Sequence, residues 1–174
     1  MLLGALKIVR GESLNGGSFL SDSYKPSHGL FFEDFTDDFV METEGRTITE
    51  SDVMTFAGLT GDLSRLHVDF VDAEEGPFGG PVAHGMLVMA VAQGLLIQSR
   101  VFAETSLGLL GFQEWRFVAP VRFGDTIRTR IRVCSSRSTK KPARGLIALG
   151  QEVLNQHGEV VQKGSFTVLV SKKK

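Results

Sequence analysis

The sequence predicts a single α+β domain in which one long helix is enclosed by a curved antiparallel sheet. Three observations carry that expectation. Residues 86–97 are apolar except for Gln93, and a helix apolar nearly all round is one buried on most sides. The segments that follow have strand periodicity, with Ile127, Ile131 and Val133 on one face and Arg128, Arg130 and Arg132 on the other. The chain has 174 residues, enough for one domain with a substantial core.

Residues 1–30 are set apart by turn chemistry, Asn15-Gly16-Gly17-Ser18 and Lys25-Pro26-Ser27-His28-Gly29, and read as an N-terminal arm. Residues 31–174 read as the domain. Thr49 is placed as an N-cap with Asp52 three positions on, close to a capping box. Val53, Phe56 and Ala57 then repeat at helical spacing, which predicts a short helix over 50–58. Residues 70–75 suit one more helical turn. Residues 76–81 form a Gly/Pro loop; no Gly-Lys-Ser/Thr follows, so it is not a phosphate cradle. The apolar segment predicts a helix over 84–102, about 28 Å long, and wrapping it requires a curved sheet. Strands are predicted at 111–118, 126–133, 144–154 and 159–170, with Asn155-Gln156-His157-Gly158 as a turn that leaves His157 in solvent. There is no internal repeat, and the only low-complexity stretch is the tail Lys172-Lys173-Lys174.

Composition narrows the function classes. The formal net charge is −1, so no global field favours nucleic acid or an anionic membrane. Phe supplies most of the aromatic residues, 13 against one Trp and one Tyr, and no basic aromatic surface for stacking bases is evident. The longest apolar run is too short to span a bilayer. Cys134 is the sole cysteine; it cannot form an intrachain disulfide, and a buried strand position is expected for it. With no secretory leader recognisable at the N-terminus, a reducing cytoplasmic setting is the expectation.

The chemistry is concentrated in Phe56-Ala57-Gly58-Leu59-Thr60-Gly61-Asp62-Leu63-Ser64-Arg65-Leu66-His67-Val68-Asp69. On a continuous helix Asp62 and His67 would point about 140° apart. Gly58 and Gly61 disfavour such a helix, and a turn there aims both side chains into one site. A carboxylate and an imidazole that converge can hold a water and handle its protons. Alone, the pair is a weak signal, since most loop Asp and His residues are simply solvated. Two further segments accompany it, Pro81-Val82-Ala83-His84-Gly85-Met86 and Arg116-Phe117-Val118-Ala119-Pro120-Val121-Arg122-Phe123-Gly124-Asp125.

Together these three elements, in this order, resemble the MaoC-like dehydratases and (R)-specific enoyl-CoA hydratases, across residues 31–171. The resemblance implies a hot-dog fold, a homodimer or a larger assembly of dimers, and an acyl-CoA thioester substrate. It implies a hydro-lyase that adds water to a trans-2-enoyl-CoA, or removes it from a (3R)-hydroxyacyl-CoA, with Asp62 and His67 catalytic. It also implies that the Gly85 N–H donates to the developing oxyanion, near a helix N-terminus whose N–H groups lack partners. Ser64 and Arg65 stand where the family has Asn-Pro; Ser64 keeps one donor and acceptor with shorter reach, and Arg65 releases the ring constraint. Both are assigned to substrate binding, with His84 and Gln93. His84 can equally support helix entry, and Gln93 either lines an acyl pocket or bonds to a strand. Arg137, Lys140, Lys141 and Arg144 can meet CoA phosphates or form a solvated turn. No ligand-like spacing joins His67 to His84, so neither a metal nor another cofactor is expected. A hot-dog thioesterase and a non-catalytic acyl-thioester-binding subunit are the competing functions, the latter kept open by Ser64-Arg65.

Overall fold

The computed structural model describes the backbone of residues 7–10 and all of residues 28–174. Asn15-Gly16-Gly17-Ser18 and most of the predicted arm therefore lie outside the described residues. A seven-stranded antiparallel sheet runs in the order β1-β2-β5-β6-β7-β4, with β3 pairing beside β2 on β5. The strands are β1 (Lys7–Arg10), β2 (Phe39–Glu42), β3 (Arg46–Thr47), β4 (Ser106–Phe117), β5 (Thr126–Ser138), β6 (Arg144–Leu154) and β7 (Val160–Ser171). Four helices lie between β3 and β4: α1 (Glu50–Thr60), α2 (Arg65–Val68), α3 (Phe70–Glu75) and α4 (Gly85–Gln98). Residues 7–10 pair antiparallel with β2, so this part of the predicted arm extends the sheet.

Helix α1 begins at the expected cap: the Asp52 N–H donates to the Thr49 hydroxyl and the Thr49 N–H to the Asp52 carboxylate. It outlasts the prediction by two residues and ends at Gly61, which takes the left-handed conformation at φ 77°. Gly58 stays inside the helix and breaks nothing, so Gly61 alone makes the turn.

Helix α4 packs on the sheet through Leu87, Val88, Met89, Ala92, Leu95 and Leu96. It is shorter than the predicted 84–102. Ser99 caps it by donating to the Leu96 carbonyl (2.7 Å), and Arg100 is left-handed at φ 65°. Val101 and Phe102 leave the helix and turn into the core. Nor is α4 covered all round, for Met86 and Ile97 are 58% and 64% exposed.

Two apolar clusters fill the space between α4 and the sheet. One gathers Leu96, Ile131, Val133, Ile147, Leu149 and Phe166; the other gathers Val53, Leu87, Ala92, Ile127, Val153 and Val161. A polar seam lies between them in sequence order on both strands, Thr129 on β5 and Gln151 on β6. Gln93 donates to the Gln151 side-chain carbonyl (2.6 Å), and Gln151 donates to the Thr129 hydroxyl (2.8 Å). The Gln93 amide N–H thus bonds to a side chain of β6 rather than to a strand backbone carbonyl.

The outer face of β5 carries the predicted arginines. Glu42 on β2 pairs with Arg128 (2.6 Å) and Arg130 (2.8 Å). Cys134 departs from the expectation, being exposed. Ile131 and Val133 take the inward positions, and the next residue turns outward at a bulge in the β5–β6 register. Across from it Gly150 leaves room, since a Cβ there would stand 3.0 Å from the Cys134 sulfur. Among the described residues no helix is long and apolar enough to cross a membrane.

Candidate active site

The turn at Gly61 fixes Asp62 immediately beyond α1. Its Oδ1 accepts the Ser64 N–H (3.3 Å), an Asx-type local bond. The side chain is 52% exposed, with Oδ2 3.9 Å from His84 Nε2. One short helix, α2, then carries His67 back toward the chain entering α4.

His67 Nδ1 lies 2.7 Å from the Val82 carbonyl oxygen. A carbonyl only accepts, so Nδ1 carries the proton and, in the neutral ring, Nε2 bears the lone pair. The same logic applies to His84, whose Nε2 is 3.0 Å from the Asp62 carbonyl oxygen. Its Nδ1 is buried without a protein partner. The two imidazoles stack at 3.8 Å between centroids, and Phe56 backs His84 at 5.1 Å. Asp62, His67 and His84 can each present one ligating atom within 4.8 Å of the others. Sequence spacing gave no reason to join His67 to His84; the loop between them closes that gap, with the Val82 N–H donating to the Leu66 carbonyl (3.3 Å).

Gly85 opens α4, and no side chain caps that N-terminus. Its N–H therefore belongs to the helix donors without intrahelical acceptors, at the positive end of the dipole. A side chain at this position would collide with Phe117, whose ring stands 2.9 Å from an ideal Cβ. Glycine thus meets a packing demand and leaves the backbone open to a ligand. The carbonyl of Gly85 accepts from Gln162 Nε2 (2.9 Å), and Gln162 Oε1 accepts the Trp115 indole N–H (3.1 Å). Sequence reasoning missed these linked bonds. Gln162 is a polar residue inside a strand, and its partners became visible only with its burial, at 2% exposure.

Arg65 forms an ion pair with Asp72 on α3 (3.2 Å), so the cation that replaces proline has its own counter-charge. Ser64 is the N-cap of α2 by its backbone, without a side-chain capping bond. Arg137, Lys140, Lys141 and Arg144 are exposed around the β5–β6 turn. In the third predicted element, Val121 accepts the Ala83 N–H (2.8 Å), and Asp125 accepts the Arg122 N–H (2.7 Å) and the Gln156 amide (2.8 Å). That element builds the wall behind the α4 entry.

Comparison with known proteins gives the family and the fold. Residues 34–153 match the MaoC like domain family. The chain is 34% identical over 132 residues to protein MaoC of Klebsiella aerogenes, covering 76% of this chain and 37% of that protein. It is 32% identical over 125 residues to an (R)-specific enoyl-CoA hydratase of Rhodospirillum rubrum, covering 72% and 81% of the two chains. A 3-hydroxyacyl-thioester dehydratase from Mycobacterium tuberculosis is 37% identical over 90 residues, or 51% of this chain and 60% of that one. The chain thus spans 37% of the length of protein MaoC and 60% of that of the mycobacterial dehydratase. Among solved structures, a monoamine oxidase regulatory protein from Archaeoglobus fulgidus superposes with TM-score 0.78 at 33% identity, covering 84% of this chain and 97% of that one. A double hot-dog protein from Mycobacterium tuberculosis superposes with TM-score 0.70 at 25% identity, over 83% of this chain and 45% of that one. The fold is the hot-dog fold.

Proposed function

The chain belongs to the MaoC-like domain family, and on that premise we propose that it is a hydro-lyase acting reversibly on trans-2-enoyl and (3R)-hydroxyacyl thioesters of CoA. The observation that carries this reading is the protonation pattern of the pair. His67 is held with Nδ1–H on Val82, so Nε2 is the nitrogen that accepts a proton. Asp62 spends one oxygen on Ser64 and keeps the other near the imidazoles.

In the hydration direction, water sits between the Asp62 carboxylate and His67 Nε2. His67 takes one water proton as the oxygen attacks C3 of the enoyl thioester. Negative charge moves to the thioester oxygen, which accepts the Gly85 N–H at the uncapped end of α4. A proton from the pair is delivered to C2, so hydroxyl at C3 and hydrogen at C2 sum to one added water. Dehydration runs the same steps backward.

Residues 31–174 serve as the catalytic domain and residues 1–30 as an arm. The active assembly is a homodimer or a multiple of it. Its setting is the cytoplasm, where a lone thiol without a disulfide partner is at home.

Following crotonyl-CoA by the loss of enoyl absorbance tests the reading. The expected result is steady hydration without release of free thiol, abolished by Asp62→Asn. Thiol release would instead identify a thioesterase, and absence of both activities a binding subunit.

A further inference from the structure

Resting on the water-activating roles of Asp62 and His67, we propose that His84 is a positioning residue for both. Its Nε2–H holds the Asp62 backbone, and its ring face holds the plane of the His67 imidazole. One buried ring thereby registers carboxylate and imidazole against each other across the reacting water.

The two groups reach the site on weakly anchored pieces of chain. Asp62 stands on a turn, with its side chain 52% exposed. Its N–H donates to the Thr60 hydroxyl and its carboxylate accepts the Ser64 N–H, both at 3.3 Å, so these bonds stay within the turn. Outside residues 60–64, the bond from His84 Nε2 to the Asp62 carbonyl (3.0 Å) is the one hydrogen bond Asp62 makes among the described residues. His67 rides on α2, a helix of four residues, and its ring bonds through Nδ1 to the Val82 carbonyl (2.7 Å). That bond fixes one point of the ring and leaves its tilt free. The His84 ring, stacked on it at 3.8 Å with 31° between the planes, restricts the tilt.

His84 is itself held by the core. It is 2% exposed and occupies the N-cap of α4. The Ala83 N–H donates to the Val121 carbonyl (2.8 Å), the His84 carbonyl accepts the Val88 N–H (3.1 Å), and Phe56 of α1 packs at 5.1 Å. A side chain so buried does not reach the substrate. Nor does it relay a proton to Asp62. The hydrogen on Nε2 is committed to a backbone carbonyl, which only accepts, and Asp62 Oδ2 lies 3.9 Å from that nitrogen, beyond hydrogen-bond reach. What His84 supplies is geometry, since reacting groups work only when their supports lock them. A misplacement of about 1 Å costs about 10²-fold in rate.

Three variants of the full chain separate the two contacts. His84→Phe keeps a ring face and loses the donor; His84→Gln keeps an N–H and loses the face; His84→Ala loses both. In crotonyl-CoA hydration, kcat should fall about tenfold for each of the first two and about 10²-fold for the third, with KM within about threefold of wild type. His84→Phe should add little to Asp62→Asn, and His84→Gln little to His67→Ala, because each lost contact acts through the residue already disabled. Circular dichroism checks that the variants fold. Imidazole ¹⁵N NMR of the wild type needs no variant to fold: the chain has four histidines, and His84 should carry its proton on Nε2 and His67 on Nδ1. A His84 proton on Nδ1 alone, a change in KM at unchanged kcat, or losses that multiply in the double variants overturns the role. A wild-type chain that hydrates no enoyl-CoA refutes the hydratase reading and the role with it; hydration together with any of those three results refutes the role alone.

Discussion

In the proposed reaction, Asp62 and His67 are divided in labour by what each is bonded to. The Ser64 N–H holds one oxygen of Asp62 and leaves the other to work, while the Val82 carbonyl orients the His67 ring. Asp62→Asn and His67→Ala should each lower hydratase turnover by about 10²–10⁴-fold. If both act on one water, the double variant should be little worse than either single one. Melting temperatures should move little for Asp62→Asn, because its side chain is half exposed. Near-normal turnover by folded Asp62→Asn protein would remove the pair from the chemistry. This pair was legible in the sequence because five residues and one glycine turn bring it together. The place of His84 beside it was not legible, because that contact depends on the whole loop from Val68 to Ala83. Nor was the partner of Gln93 legible, since Gln151 lies on a strand far along the chain.

At the scale of elements, the features most legible in the sequence are those with local causes. The cap of α1, the turn after β6 and the alternation of β5 all follow from neighbouring residues. The ends of α4 and β4 differ from expectation, because packing of Val101 and Phe102 and a bulged edge strand set them. The α1 cap gives a pH test. Burial alone would raise the Asp52 pKa, but bonds from the Thr49 N–H and hydroxyl and the Arg46 guanidinium outweigh it and lower the value. A carboxylate lowered on folding stabilises the protein above the unfolded value, and that contribution is lost as pH falls through the folded one. Asp52→Asn should therefore melt below the wild type at neutral pH, and the gap should close in acid. An unchanged gap across thermal melts down to about pH 3, below the usual carboxylate range, would contradict this. The tie between α4 and β7 gives a second test. Gln162→Leu removes the acceptor of the Trp115 N–H and the second bond to the Gly85 carbonyl that ties β7 to the first turn of α4, at a cost of about 1–3 kcal/mol. If the Gly85 N–H is the oxyanion donor and this bond holds the start of α4 in place, kcat should fall while KM changes little; a KM effect alone would leave Gln162 with packing only.

For the whole molecule, the face left uncovered is more telling than the core. Strand β4 ends the sheet with no neighbour on its outer edge among the described residues. Along it Leu107, Leu109, Leu110, Phe117 and the adjoining Val118 are between 46% and 59% exposed. An apolar edge strand of this length invites another strand or an aggregate unless it is covered. Met86 at the start of α4, and Leu59 and Leu63 around the Asp62 turn, are also exposed. The apolar surface thus extends from the sheet edge to the rim of the candidate site. A second copy joined edge to edge about a two-fold axis, the commonest closed arrangement of identical chains, would cover β4 and the apolar rim beside the candidate site. Light scattering at micromolar concentration should then give at least twice the 19.0 kDa chain mass. Leu109→Lys with Leu110→Glu should shift the protein toward monomer and keep its circular dichroism, because neither residue is buried in the single chain. If the partner copy completes the site, hydratase activity should fall with the dimer fraction and recover at higher protein concentration, since re-association covers the apolar rim again. A wild-type chain that stays monomeric under these conditions would refute the assembly. A monomeric variant with full turnover would instead confine the whole reaction to one chain, and the apolar edge would need another purpose.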